Sequence, residues 1–446
     1  MLRGNTGNRN RRNFVSFPAW AFIVYLAFLA ISVLLYLPKF AQLLYAFHTP
    51  PLKCAREKRR IGIVVPARDE SRVIGDLLRS ISQQDYDPAC FDVNVIVKDA
   101  NDPTVHMARR VGAKIFIVEN QSCKGDALDG FFRSLAPETL ASYDAFVIVD
   151  ADAVLSPNFI SRLNCALEYD RDVFVTRKNI KNFLGDRRMR TLVTDCSALV
   201  YPIVDELGNL YRAEKDIPLN LCGQGLMLRR RVIEELGGWP YRTLTEDFEL
   251  KMDSFLKGFS STYYPHAVLY TEEATSHRDS FTRRVRWLAG FTQCGKLYKQ
   301  AVKRKLRADH AGLLKQFEFR FSLLSPAIFL VATLLSVLLG AGAAIYYAAT
   351  GDPLRAPALV LLCLLPIGIL YFLLFLYSAL AMLVYRDALE SLPLREKLAT
   401  LLVMPLFLLE FVPVYLKSRA LVRKKRLVWK QPERHELAGR RRAEDA

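Results

Sequence analysis

The chain is 446 residues long, carries 62 Lys and Arg against 45 Asp and Glu for a net charge of +17, and is 51% hydrophobic. That length buries a sizeable core in two or three domains and excludes a small disulfide-stapled scaffold. So apolar and aromatic a chain does not stay disordered, and its basic excess suits a membrane surface as well as a nucleic acid.

Residues 1–18 form a basic tail with Arg3, Arg9, Arg11 and Arg12. Residues 19–37 carry no charge, which predicts a transmembrane helix and membrane-proximal segment over 19–48. Pro38 and Lys39 follow in place of a small-residue cleavage site, so the run reads as an anchor. A soluble domain is expected over 55–277, then amphipathic interface helices over 278–320. The uncharged runs 321–351 and 356–385 predict two more transmembrane helices within 321–385. A last apolar run, 398–416 within a segment set at 396–416, contains Pro405, Glu410 and Pro413 and spans, re-enters or lies in the interface. Residues 417–446 are a basic tail.

Lys53, Arg56, Lys58, Arg59 and Arg60 flank one end of the soluble domain, and Lys303, Arg304, Lys305 and Arg307 the other. The loop between the second and third runs holds only Asp352 and Arg355. The positive-inside bias therefore predicts a multi-pass plasma-membrane protein with its domain in the cytoplasm, although the N-terminal arginines pull the other way. Eight cysteines without a C-x-x-C pair suggest neither a zinc site nor a disulfide framework. The basicity gathers at the membrane flanks: residues 278–307 hold ten Lys and Arg against one Asp, and 417–446 hold eleven against four acids. No nucleic-acid partner is expected, since no reader motif accompanies the charge.

Within the domain, apolar runs at 61–65, 93–97, 114–118 and 145–149 alternate with helical patterns on Val73, Ile74, Leu77, Leu78 and Ile81 and on Ala127, Leu128, Phe131 and Phe132. This order predicts a parallel sheet covered on both faces, with ligands at the carboxyl ends of its strands. Asp99 and Asp150 fall at such ends.

Asp150-Ala-Asp152 directly after a strand places two carboxylates so close that a hard divalent cation is their natural partner; a solvated turn with capping aspartates is the plainer alternative. Thr245-Glu246-Asp247 opens a helical pattern, either as an ordinary acidic first turn capped by Thr245 or with Asp247 as a general base. Arg283-Arg-Val-Arg286-Trp287 suits an interfacial helix, and equally a cationic seat for a diphosphate with a tryptophan for sugar stacking. No P-loop or dinucleotide fingerprint occurs.

In this order, Asp99, Asp150-x-Asp152, Thr-Glu-Asp247 and Arg283-x-x-Arg286-Trp287 resemble the pattern of membrane-embedded family 2 glycosyltransferases, the group of cellulose, chitin, hyaluronan and poly-N-acetylglucosamine synthases. The last motif, (Q/R)xxRW in that family, takes its less common arginine option here. Val-Val-Pro66-Ala67-Arg-Asp-Glu70, Lys124-Gly-Asp-Ala-Leu128 and Gly223-Gln224-Gly225 also look like family elements. The resemblance implies an α/β, GT-A-type, Rossmann-like and mostly parallel sheet domain joined to transmembrane helices. It implies a nucleotide-sugar site, with UDP the expected nucleotide, lined by Pro66, Ala67, Glu70, Asp99, Lys124 and Asp150, and Arg283 and Arg286 toward the diphosphate. Asp152 would hold Mg²⁺ or Mn²⁺, Asp247 would be the base with Glu246 beside it, and Gly223, Gln224, Gly225 and Trp287 would meet the acceptor. One departure is Asp99-Ala-Asn-Asp102-Pro-Thr104, where the family often has further acidic positions after its first aspartate.

The expected activity is inverting, metal-dependent sugar transfer to a saccharide acceptor at the membrane, in cell-surface polysaccharide synthesis with export or accessory proteins as partners. Transfer of a single sugar to a lipid, or a non-catalytic membrane scaffold, are the alternatives.

Overall fold

In the computed structural model, which describes residues 23–31, 33–34, 42–185, 189–319, 334–342, 345 and 356–424, the apolar runs of the soluble domain become the strands of one sheet. Strands β1 (Ile61–Pro66), β2 (Phe91–Val97), β3 (Lys114–Ile117) and β4 (Ala145–Ile148) are followed by β5 (Val154–Leu155), β6 (Val173–Ile180), β7 (Leu226–Arg229) and β8 (Ser261–Thr271). Their order across the sheet is β3-β2-β1-β4-β7-β6-β8-β5. The β1–β2, β1–β4, β2–β3 and β6–β8 pairs are parallel. The β4–β7, β6–β7 and β5–β8 pairs are antiparallel.

The expected mostly parallel sheet is thus a mixed one. Reversal of β7 brings its amino end, Leu226, into register with Ile148 at the carboxyl end of β4. Whatever precedes β7 in sequence therefore lands beside whatever follows β4, an adjacency that a parallel β7 does not provide.

Helices α1 (Ile74–Ser82), α2 (Pro103–Arg109), α3 (Lys124–Ser134) and α4 (Phe159–Ala166) cover the sheet. Side chains along a strand alternate faces. Ile63 and Val65 accordingly join a core with Ile74, Leu77, Phe159 and Leu163, whereas Val64 joins Leu128, Phe131 and Trp239 on the other side. Helix α5 (Leu192–Ala198) precedes β7, and α6 (Glu246–Lys257) precedes β8. Helix α7 (His277–Ala308) runs 32 residues through the segment expected to hold interface helices.

By contacts the chain divides into two units, one of Met1–Pro38 with Ser325–Leu374 and one of Lys39–Leu324 with Phe375–Ala446. In the first, residues 23–31 and 334–342 are helical. Helix α8 spans Ala356–Val384. Two stretches, Leu364–Val384 and Leu394–Arg423, are helices long and apolar enough to cross a membrane by length and composition. The second holds α9 (Leu394–Leu409) and α10 (Phe411–Arg423), which meet at Glu410. Most of the expected span 321–351, the flanks of 19–37, the tail 1–18 and residues 425–446 lie outside the described residues.

Candidate active site

The carboxyl end of β4 leads directly into Asp150-Ala151-Asp152, where the Ala153 amide bonds back to the Asp150 carbonyl at 3.1 Å and turns the chain. Asp150 is about a third exposed, and Asp152 is buried. Lys124, the first residue of α3, reaches Asp150 Oδ1 at 2.6 Å and donates to the Gly223 carbonyl at 2.5 Å. Its Nζ also lies 3.7 Å from Glu246 Oε1. Burial alone lowers the pKa of this ammonium, but the surrounding Asp150, Glu246 and Asp247 carboxylates raise it overall.

Lys124 is steered there by Arg242. This guanidinium pairs with Asp126 at 2.8 Å and Asp129 at 2.7 Å on α3, fastening the turn before α6 to the start of α3. Glu249 in the first turn of α6 accepts the amides of Arg242 and Thr243 at 3.1 and 2.9 Å. Thr245 occupies the cap position without a side-chain cap bond, contrary to the plainer reading of that motif. Its side chain is pressed against Gly290 of α7 instead.

Glu246 and Asp247 consequently face Gly223. A Cβ at position 223 would stand 3.2 Å from Glu246 Oε1, 3.2 Å from Lys124 Nζ and 3.4 Å from Asp247 Oδ2, so the glycine admits all three. Burial, then the Glu246 charge, pushes the Asp247 carboxyl up to about 7; Lys124 and Arg286 pull it back only in part. Arg286 is held below its ordinary value by burial, with Glu246, Asp150 and Asp247 opposing that shift. One cluster thus unites Lys124, Asp150, Gly223, Glu246, Asp247 and Arg286 from five separate segments.

The β1 and β2 exits form a neighbouring group. Pro66 pairs in register with Ile96, and the Ala67 amide donates to the Ile96 carbonyl at 2.8 Å. Asp102 caps α2 through the Thr104 amide at 2.8 Å and accepts the Asp69 amide at 2.9 Å. The Glu70 amide donates to Thr104 Oγ1 at 3.2 Å. Glu70 is buried, while Asp99 is exposed and accepts the Asn101 amide at 2.8 Å. Asp102, absent from the candidate residues, therefore locks the two exits together. The Asp-Pro pair, a cap followed by proline at the first helical position, was its signal in the sequence.

Among the residues expected to meet the acceptor, Gly225 has φ 64° and donates its amide to the Ile148 carbonyl at 2.8 Å. Gln224 is buried and donates to Thr271 Oγ1. Trp287 lines a small cleft with Val200, Tyr201, Glu273, Arg283 and Phe407. Arg283 is ion-paired with buried Glu273 at 2.8 Å, which also accepts the Tyr201 hydroxyl at 2.7 Å. A buried carboxylate needs a cationic partner, and Glu273 takes the nearest arginine. Of the two arginines expected at a diphosphate, Arg283 is engaged by Glu273 in this structure.

Among the described residues no group of three His, Cys, Asp or Glu side chains forms a closed metal cage. The residues nonetheless fit a hard divalent cation. Asp150, Asp152, Glu246 and Asp247 outnumber Lys124 and Arg286, and two carboxylates at a strand end suit an ion that completes its shell with diphosphate oxygens and water.

A family described as "Glycosyltransferase like family 2" matches residues 59–290, just over half of the chain. The chain belongs to glycosyltransferase family 2. Among curated relatives, this glycosyltransferase is 20% identical over 239 residues to the probable glycosyltransferase YdaM of Bacillus subtilis, covering 53% of this chain and 56% of the relative. It is 21% identical over 234 residues to a beta-monoglucosyldiacylglycerol synthase of Trichormus variabilis, covering 52% and 48%. The glycosyltransferase spans about half the length of these relatives. Among solved structures it resembles the mannosyltransferase PcManGT from Pyrobaculum calidifontis, in complex with GDP-Man and Mn²⁺. That match has a TM-score of 0.52 at 18% identity, covers 90% of this chain and all of the other, and shows a shared GT-A-like fold.

Proposed function

We propose that the protein transfers a sugar from a nucleotide-diphosphate donor to an acceptor hydroxyl with inversion at the anomeric carbon. The observation that carries this reading is the Asp247 carboxyl: buried, pushed up to about 7, and open toward Gly223 beside Lys124 and Arg286. A base of that strength takes a proton from the attacking hydroxyl at neutral pH. No second carboxylate is required as a covalent nucleophile, so a single displacement suffices. The donor lies across the β1, β2 and β4 exits, with Glu70 and Asp99 toward the nucleoside. Lys124 and Arg286 then face the departing diphosphate and stabilise its growing charge. Asp152 would hold Mg²⁺ or Mn²⁺, which would supply further neutralisation of that diphosphate. Arg283 positions Glu273 and Tyr201 in the wall of the acceptor cleft, and Trp287 offers a sugar-stacking face.

The acceptor is a saccharide at the membrane, in cell-surface polysaccharide synthesis. Single-sugar transfer to a lipid is a second reading, favoured by Val200 and Phe407 in the cleft and by the similarity to a glycolipid synthase. A non-catalytic scaffold has no support left beside the family membership. Purified protein supplied with a panel of nucleotide sugars, Mn²⁺ and membrane lipids tests the proposal. A product of opposite anomeric configuration is expected, as a ladder of chains or as one sugar per lipid. Retention of configuration, or no turnover of any donor, would refute it.

A further inference from the structure

The α9–α10 pair meets the test of a membrane span by composition, yet its inner side is bound to the catalytic domain from end to end. Met404 and Phe407 of α9 pack with Cys196 and Leu199 around α5. At the break, Glu410 receives Arg284 of α7, and His277 at 2.5 Å. Val414 of α10 is fully buried against Val285 and Leu288 of α7. A span must cross about 30 Å of hydrocarbon. This one would drag the charged helix α7 in with it, at prohibitive desolvation cost.

The outer side is different. Leu394, Leu398, Leu402 and Leu406 recur every fourth residue, share one helix face, and are 71%, 52%, 58% and 57% exposed. Exposed Lys417, Arg419 and Arg423 follow on α10, and Lys424 directly after it. Beside this stripe a groove of about 280 Å³ separates the end of α8 from α9. Ala379, Met382, Leu383 and Leu389 form its apolar walls, and Arg386 and Lys397 supply two cations. Among the described residues neither cation pairs with a carboxylate; the adjacent Asp387 is engaged by Arg177 at 2.7 Å.

We propose that α9–α10 lies in the plane of an anionic lipid surface, leucine stripe inward, and that the α8–α9 groove seats the phosphate headgroup of one such phospholipid. Two uncompensated cations above an apolar trough complement an anionic head carrying acyl chains. Residue 424 then lies on the same side of the bilayer as the active site.

Both parts are testable on the full-length protein. In sealed vesicles, exposed Cys54 reports the side of the catalytic domain. Ser391→Cys and Arg419→Cys should react with a membrane-impermeant maleimide from that same side; reaction from opposite sides overturns the in-plane arrangement. In detergent, phosphatidylglycerol retained by the delipidated protein is counted by native mass spectrometry. The R386Q/K397Q variant should bind it roughly tenfold or more weakly, with phosphatidylcholine unaffected. Unchanged phosphatidylglycerol binding, or its displacement by millimolar inorganic phosphate, overturns the headgroup seat. Cross-linking of Leu402→Cys between two copies would assign the stripe to self-association and refute the lipid contact.

Discussion

Gly290 of α7 rests directly on Thr245, so that a Cβ at position 290 would stand 2.6 Å from Thr245 Cγ2 and 2.8 Å from its Cβ. Thr245 immediately precedes Glu246 and Asp247, and Gly290 lies one helical turn beyond Arg286. The contact therefore fixes the distance between the proposed base and the cation of the leaving group. Gly290→Ala must push the two helices apart. Because alanine gains about 1 kcal/mol of helix propensity, melting should change little. Activity should fall about 10²-fold, since a displacement near 1 Å is enough to misalign reacting groups. Steady-state kinetics beside thermal melts separate the two effects.

Asp247→Asn should lower kcat by about 10³-fold or more while leaving donor affinity nearly intact. A second consequence concerns stability. The folded state holds the Asp247 proton more tightly than the unfolded chain does, so the native enzyme loses stability as pH rises from about 4 toward about 7. Asparagine carries no such penalty. The variant should therefore melt higher than wild type at pH 8, and by a smaller margin at pH 5.

Lys124 lowers the Asp247 pKa against the effect of burial. Lys124→Gln removes that charge, so the acid limb of the kcat/KM profile, set near pH 7 in the wild type, should move to higher pH. Activity at pH 7 should drop more than activity at pH 8.5. An unshifted limb would assign that limb to some other group.

Much of this arrangement was legible in the sequence because its signals are local. Strands β1 to β4 announce themselves as apolar runs; Asp150 and Asp247 sit in short motifs at a strand end and a helix start, and Arg286 in a short motif within α7. The reversal of β7 was not legible, since Leu226–Arg229 is four residues long and ends in arginine. Buried charges within β6 were equally hidden. Lys178 pairs with Asp205 at 3.0 Å, and Arg177 with Glu206 at 3.3 Å, partners nearly thirty residues away that hydropathy does not reveal. The capture of Arg283 by Glu273 and the seat of Gly290 on Thr245 depend on tertiary packing and leave no trace in spacing.

Chelation should abolish transfer, and either Mg²⁺ or Mn²⁺ should restore it. Asp152→Asn should weaken Mn²⁺ binding in the presence of nucleoside diphosphate by roughly tenfold or more, measured by paramagnetic relaxation, because one of few hard oxygen ligands is lost. Excess metal should recover part of the activity of this variant but none of that of Asp247→Asn.

The antiparallel β7 divides labour along the sheet. Nucleoside contacts are proposed at the exits of β1 and β2, whereas the proposed base and its supporting turn hang from α6 and α7, beyond β7. Lys124, paired with Asp150 at 2.6 Å and 3.7 Å from Glu246, and Arg242, paired with Asp126 and Asp129, bridge the two halves. Exchange of the first three strands between relatives would thus alter which nucleotide is admitted while leaving the displacement machinery whole. Such a seam lets a lineage change its sugar donor without reinventing its chemistry.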